Sequence, residues 1–222
     1  VRCGLVKTSE REPKPVSPTL RSPTIMRGAR VREYTKGYFG ALPHEDLSVS
    51  PSMSPCTALY RGDILRRGTA IFPSERVVRS EDLFFNLDYL GEVTTAVLVE
   101  EAYYYYYSRN GSTSKRYSSP ASKCLLLLER AGDDEELLLR VQRTILTAIK
   151  EAVLQMVHEG RPCRESARIV RRLEAELGAR GVAAHYPTAQ LPVRERLFAT
   201  TVSHAWGWPE VLLARMYEKR AR

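Results

Sequence analysis

Apolar residues recur every three or four positions along two stretches of this chain, and that spacing predicts helices. The longer stretch carries Leu137, Leu138, Val141, Ile145, Ile149, Ala152 and Met156, which predicts one amphipathic helix from about Asp134 to His158, broken at Gly160-Arg161-Pro162. The shorter carries Leu83, Phe84, Leu87 and Leu90 on one face, with Ser80 as its N-cap, Glu81 and Asp82 in its first turn and Gly91 as its stop. Three more helices are expected at about Arg164 to Leu177, Leu191 to His204 and Pro209 to Arg220, with the last two split by Gly207 and Pro209. No internal repeat is evident.

Extended segments lie upstream. Val93 to Val99 is rich in β-branched residues, and Ala102 to Ser108 holds five consecutive tyrosines, so two strands are expected. Alternation sends Tyr103, Tyr105 and Tyr107 to one face and Tyr104 and Tyr106 to the other. Such a run fits a plain half-buried strand as well as a ligand-facing one. Arg109-Asn110-Gly111-Ser112-Thr113-Ser114 then has turn chemistry. Val1 to Val6 reads as a single strand without a partner, Lys7 to Arg32 as a proline-rich loop, and Tyr34 to Leu42 as a short helix or turn. Met53 to Leu65 reads as a strand entering a short helix near Gly62-Asp63.

Composition changes this picture little. The chain has 222 residues, 43% hydrophobic and 27% charged, which is ordinary globular usage. The formal charge of +8 points to anionic partners, but residues 1–40 hold nine Lys/Arg against three Glu, so the rest is nearly balanced. A nucleic-acid reading is disfavoured because the basic segment and the tyrosines lie far apart and no known motif links them. Cys3, Cys56, Cys124 and Cys163 are widely spaced, so neither a zinc site nor a disulfide framework is indicated, and free thiols in a reducing cytoplasm are expected. There is no charged-then-apolar leader and no run long enough to span a bilayer. A cytoplasmic protein is expected, at most peripheral at the inner face of the membrane through its basic, Trp-containing final helices.

Candidate chemistry centres on Glu81 and Asp82. A carboxylate fixed at the mouth of a buried helix can act as a general base, although acids in a first turn also simply complement the helix dipole. His44-Glu45-Asp46 lacks the second His of a zinc-binding H-E-x-x-H and reads as a loop or cap beside Pro43.

The order of features also resembles a known family. Leu59-Tyr60-Arg61, Phe72-Pro73, the Glu81-Asp82-Leu83-x-Phe85 helix, two strands ending in tyrosines, and Gly111-Ser112-Thr113-Ser114 are similar to the second half of a family 2 glycosyltransferase of the GT-A fold. The resemblance covers about residues 54–114. It implies an α/β fold: a partial GT-A half-domain over 1–120, loop-rich at 7–32, with an α-helical C-terminal extension over 121–222. It implies a hexosyltransferase-like enzyme of surface polysaccharide synthesis. A sugar would pass with inversion from a nucleoside-diphosphate donor to a hydroxyl of a glycan or lipid-linked acceptor. In that role Asp82 takes the acceptor proton, Glu81 orients the acceptor, and Tyr60, Arg61, Tyr107, Arg109 and Ser112 contact substrate.

The sequence departs from the family in two places. Thr57-Ala58 stands where the family carries Asn-Lys or Gly-Lys, which removes a cation from the pocket edge. The donor-binding half with its D-x-D is absent, so no cofactor or metal ligand is expected in this chain. A divalent Mg or Mn belongs with the missing half. The chain is thus expected to be a fragment of a transferase. The alternative is a non-catalytic module that docks on a membrane or on a partner transferase. The sequence does not define an oligomeric state.

Overall fold

The structure is a computed structural model, and it describes residues 1–8, 13–16, 24–47, 50–76, 78, 80–107, 117–204 and 207–221. The fold is mixed α/β, and the chain divides into two compact units. One comprises Val1–Tyr38 and Asp46–Ser112, and the other Phe39–Glu45 and Thr113–Arg222.

The first unit is built on a four-stranded sheet of order β2-β1-β4-β3, with β1 at Arg2–Thr8, β2 at Pro13–Val16, β3 at Thr24–Arg27 and β4 at Thr95–Tyr107. β1 runs parallel to β4, and the two edge strands are antiparallel to their neighbours. Two expectations are corrected here. The opening strand is not alone, because β4 and β2 pair with it on either side, and the supposed loop from Lys7 to Arg32 contributes both edge strands.

The two tyrosine-side strands are also a single one. Nothing between Val99 and Ala102 breaks an extended backbone, since Glu100 and Glu101 lack the turn chemistry of Gly or Pro. The irregularity is absorbed in the pairing instead. β4 advances from Leu98 to Tyr104 while β1 advances only from Arg2 to Leu5, so β4 bulges opposite Gly4.

Helix α1 (Ala29–Lys36) follows β3 directly, earlier than expected, and Gly37 caps it. The expected strand from Met53 is instead a 3₁₀ turn at Pro55–Thr57 with one bridge, Arg2 to Ala58, and Pro55 accounts for the loss of a ladder there. Helix α2 (Gly62–Leu65) lies where Gly62-Asp63 placed it.

Helix α3 (Glu81–Glu92) is the centre of this unit. Leu83, Phe84, Phe85, Asn86, Leu87 and Tyr89 are all buried, a wider face than the four-residue stripe predicts. Each fully buried aliphatic or Phe side chain contributes roughly 1.5–3 kcal/mol. Gly91 does not stop the helix. It lies within the last turn, exposed, and the chain leaves through extended Val93 into β4.

The second unit is helical throughout its regular elements. Helices α4 (Ala121–Ala131), α5 (Glu135–His158), α6 (Cys163–Glu176), α7 (Ala179–His185), α8 (Val193–His204) and α9 (Trp208–Ala221) pack around α5. The Asp134 carboxylate caps α5 by accepting from the Leu137 N–H at 3.0 Å. Val141, Ile145, Ile149, Val153 and Met156 of α5 are buried, following the predicted periodicity.

The segment Phe39–Glu45 belongs to this unit because two buried arginines of α5 hold it. Arg140 donates to the Gly40 carbonyl at 2.9 Å and pairs with Glu45 at 3.0 Å, and Arg143 donates to the carbonyls of Leu42 and Glu45. Glu45 also accepts from the Leu42 N–H at 2.7 Å, so the His44-Glu45-Asp46 acids include a structural anchor.

Among the described residues no helix is long and apolar enough to cross a membrane, and no three His, Cys, Asp or Glu side chains converge as a metal site would need.

Candidate functional site

Asp82 and Glu81 occupy the first turn of α3 and are both half-buried. The residue before them departs from expectation. Ser80 does not cap the helix with its hydroxyl. It takes a left-handed conformation at φ 69°, ψ 46°, the one non-glycine among the described residues with positive φ. A β-carbon in that region costs about 1–2 kcal/mol. Such strain persists only where surrounding packing holds it.

The electrostatics of Asp82 differ from the dipole expectation. Burial, the adjacent Glu81 carboxyl and Glu75 push its pKa up to about 6. The helix N-terminus does not keep this carboxylate in the ordinary range, because like charge and desolvation outweigh the dipole.

Below the first turn lies a polar network that the apolar pattern did not reveal. Asn86 is 1% exposed and makes four hydrogen bonds. Its Nδ2 donates to the carbonyls of Asp82 at 2.7 Å and Met53 at 2.8 Å. Its Oδ1 accepts from Arg2 Nη2 at 2.6 Å and Tyr60 Oη at 2.9 Å. Arg2 is 8% exposed, and its Nη1 reaches the carbonyls of Ser52 and Ser54 while its guanidinium lies 5.9 Å from the Tyr38 ring centroid. One amide thus ties the base of Asp82 to β1, to the 50s segment and to Tyr60. The available signal was an Asn inside an apolar helix face, since a buried amide must have partners.

Tyr60 is set by rings as well. It meets Phe85 edge-on at 5.1 Å and Tyr89 at 4.7 Å, and Phe72 stacks on Phe85 at 3.9 Å. The Leu-Tyr-Arg and Phe-Pro motifs therefore supply aromatic packing for α3. Burial and the charge of Asp82 hold the Tyr60 phenol protonated, pushing its pKa up to about 12 against the opposing influence of Arg2.

Arg61 points elsewhere. Its guanidinium is exposed and doubly bonded to Asp63 at 3.0 and 2.6 Å, while its N–H donates to Tyr89 Oη at 2.7 Å. Tyr107 ends β4 and is 66% exposed. Arg109 and Ser112 lie outside the described residues. The tyrosine that approaches the 50s segment is Tyr104, whose pKa is raised by a hydrogen bond with the Cys56 thiol. The family resemblance selects Tyr107 from that run instead.

A cavity of about 530 Å³ opens in this unit between the second half of α3, the start of β4 and the Ala58–Ile64 segment. Tyr60, Arg61, Asn86 and Tyr89 line it, whereas Asp82, Glu81 and Tyr107 do not. The structure therefore links Tyr60 and Asp82 through Asn86 and separates Tyr107 from the cavity.

No family model matches the chain, nor does any curated protein or solved structure.

Proposed function

We propose that the first unit is the acceptor-side half of a GT-A-type glycosyltransferase, with Asp82 as the general base of an inverting sugar transfer. The observation that carries this reading is Asp82 itself. It is a half-exposed carboxyl at the head of a buried helix, braced through its carbonyl by Asn86, with its pKa raised to about 6. A base whose pKa lies near the working pH balances availability against proton affinity. The motif order from Leu59 to Tyr107 supports the family assignment.

In this mechanism the acceptor hydroxyl attacks the anomeric carbon of the donor sugar as Asp82 removes its proton, and the nucleoside diphosphate leaves. Glu81 lies beside Asp82 and raises its proton affinity. The D-x-D and any divalent ion would come from a donor-binding half outside this sequence, and the protein would work at the cytoplasmic face of a membrane. Transfer assays with that half supplied test the assignment. Asp82→Asn should abolish transfer and leave donor binding intact, whereas equal rates in mutant and parent remove Asp82 from the mechanism.

A second reading, a non-catalytic docking module, draws on the exposure of Tyr103, Tyr105 and Tyr107 along one face of β4. Retention of partner binding with no donor turnover in any assembly would favour it.

A further inference from the structure

The 530 Å³ cavity of the first unit is of ligand size, and of the three tyrosines that line it Tyr34 is hydrogen-bonded to Tyr38, which leaves the polarity of Tyr60 and Tyr89 to bear on what it can hold. Asn86 sets the polarity of Tyr60. Its Nδ2 faces two carbonyl oxygens, of Met53 and Asp82, and these can only accept. Its Oδ1 faces Arg2, which can only donate. The orientation of the amide is thereby fixed, and Tyr60 must donate its single hydroxyl hydrogen to Oδ1. Toward a ligand Tyr60 therefore has only lone pairs to offer.

Tyr89 has the opposite polarity. Its hydroxyl oxygen accepts from the Arg61 N–H, and its hydrogen has no acceptor among the described residues, so it can donate. The two rings are in edge contact at 4.7 Å.

The arginines at the cavity are engaged. Arg61 is paired with Asp63 at 2.6 Å, Arg67 faces Glu92 at 3.9 Å, and the Nη groups of Arg2 donate to protein oxygens. Much of the remaining wall is hydrocarbon, from Ile64, Leu90, Val93 and Leu98.

From this geometry we infer that the cavity binds a neutral, largely apolar molecule bearing a hydroxyl group that donates to Tyr60, with Tyr89 as the donor to an acceptor on the same ligand. An alcohol or phenol supplies the donor that Tyr60 needs and also carries an acceptor. An ether or ketone can accept from Tyr89 but leaves Tyr60 without a donor, and a carboxylate or phosphate brings a second acceptor against the Tyr60 lone pairs. The site is separate from the Asp82 carboxyl, and the inference stands whether or not Asp82 is a base.

The test uses the 222-residue chain with ring-labelled tyrosine and three probes built on one benzene ring, phenol, anisole and benzoate, titrated at neutral pH and followed by NMR. Phenol should bind about tenfold more tightly than anisole, the ratio expected for one hydrogen bond made or lost, and benzoate more weakly than either. The Tyr60 and Tyr89 ring signals should shift with phenol.

Tyr60→Phe leaves the Asn86 bond to Arg2 in place, so the fold should survive. It should bring the phenol-to-anisole ratio to about one by weakening phenol alone, since only that hydrogen bond is lost. Tyr89→Phe should weaken both probes together. A ratio near one in the parent overturns the inference, as do benzoate binding at least as tight as phenol, no tyrosine shift at millimolar phenol, or an unchanged ratio in Tyr60→Phe. Should Tyr60→Phe fail to fold, the parent's three affinities decide.

Discussion

At the scale of the residue, Asp82 has an environment that its sequence neighbours only half disclose. Ser80-Glu81-Asp82 reads as an ordinary helix start, yet Ser80 is left-handed and Glu81 raises rather than relieves the proton affinity of Asp82. The linkage follows from the direction of the shift. Because the folded pKa lies near 6 and the ordinary value is 3.8, the protonated form stabilises the fold below about pH 4, and that contribution is lost as pH rises through 6. Carbon-13 NMR of labelled aspartate should show one carboxyl titrating near 6. Glu81→Gln should lower that midpoint by removing a neighbouring charge. A midpoint that does not move would assign the shift to burial and Glu75 and free Glu81 from any part in tuning the base.

Elements were legible to different degrees, and the reasons are physical. Helix α5 could be read to within a residue because its periodicity, its Asp134 cap and its Gly-Pro break all agree. The sheet was legible only in β1 and β4, because β1 and β3 pair with β4 far along the chain and the edge strands β2 and β3 are too short to leave a local signal. Nor could Asn86 be assigned its role, since the partners of a buried amide lie at Arg2, Met53 and Tyr60, far along the chain. Gly207 has the same character at an element junction. It reads as a simple break between α8 and α9, but its φ is 69° and an added β-carbon would stand 2.4 Å from the Ala167 carbonyl of α6. Gly207→Ala should therefore cost about 2–4 kcal/mol, combining a left-handed penalty with overpacking against backbone. Urea unfolding followed by circular dichroism measures it, and a loss under about 1 kcal/mol would mean that the α6 to α9 contact yields easily.

For the whole molecule, the charge that matters to stability lies inside rather than in the basic segment that dominates the sequence. Glu174 of α6 and Glu210 of α9 are 1% and 0% exposed, and none of their carboxyl oxygens has a hydrogen-bond partner. Burial and the charge of Glu210 push Glu174 up to about 8, with Arg171 opposing, and burial raises Glu210 as well. Arg215 of α9 turns one nitrogen to the Arg161 carbonyl rather than to either acid. Two neutral acids are tolerated in such a place, and two anions are not.

Glu174 is raised from 4.5, so its favourable share is complete below that value and disappears as pH rises through 8. Thermal unfolding should therefore shift to lower temperature between about pH 5 and pH 8, opposite to a protein held by carboxylate ion pairs. Glu174→Gln keeps the shape and removes the titration. It should flatten that slope and raise Tm at pH 8 by about 2–4 °C for each kcal/mol recovered. If parent and Glu174→Gln fall in parallel with pH, Glu174 is not the titrating group, and the dependence comes from Glu210 or from Asp82 in the other unit. Glu174→Gln combined with Asp82→Asn separates these contributions, because sites in different units should add.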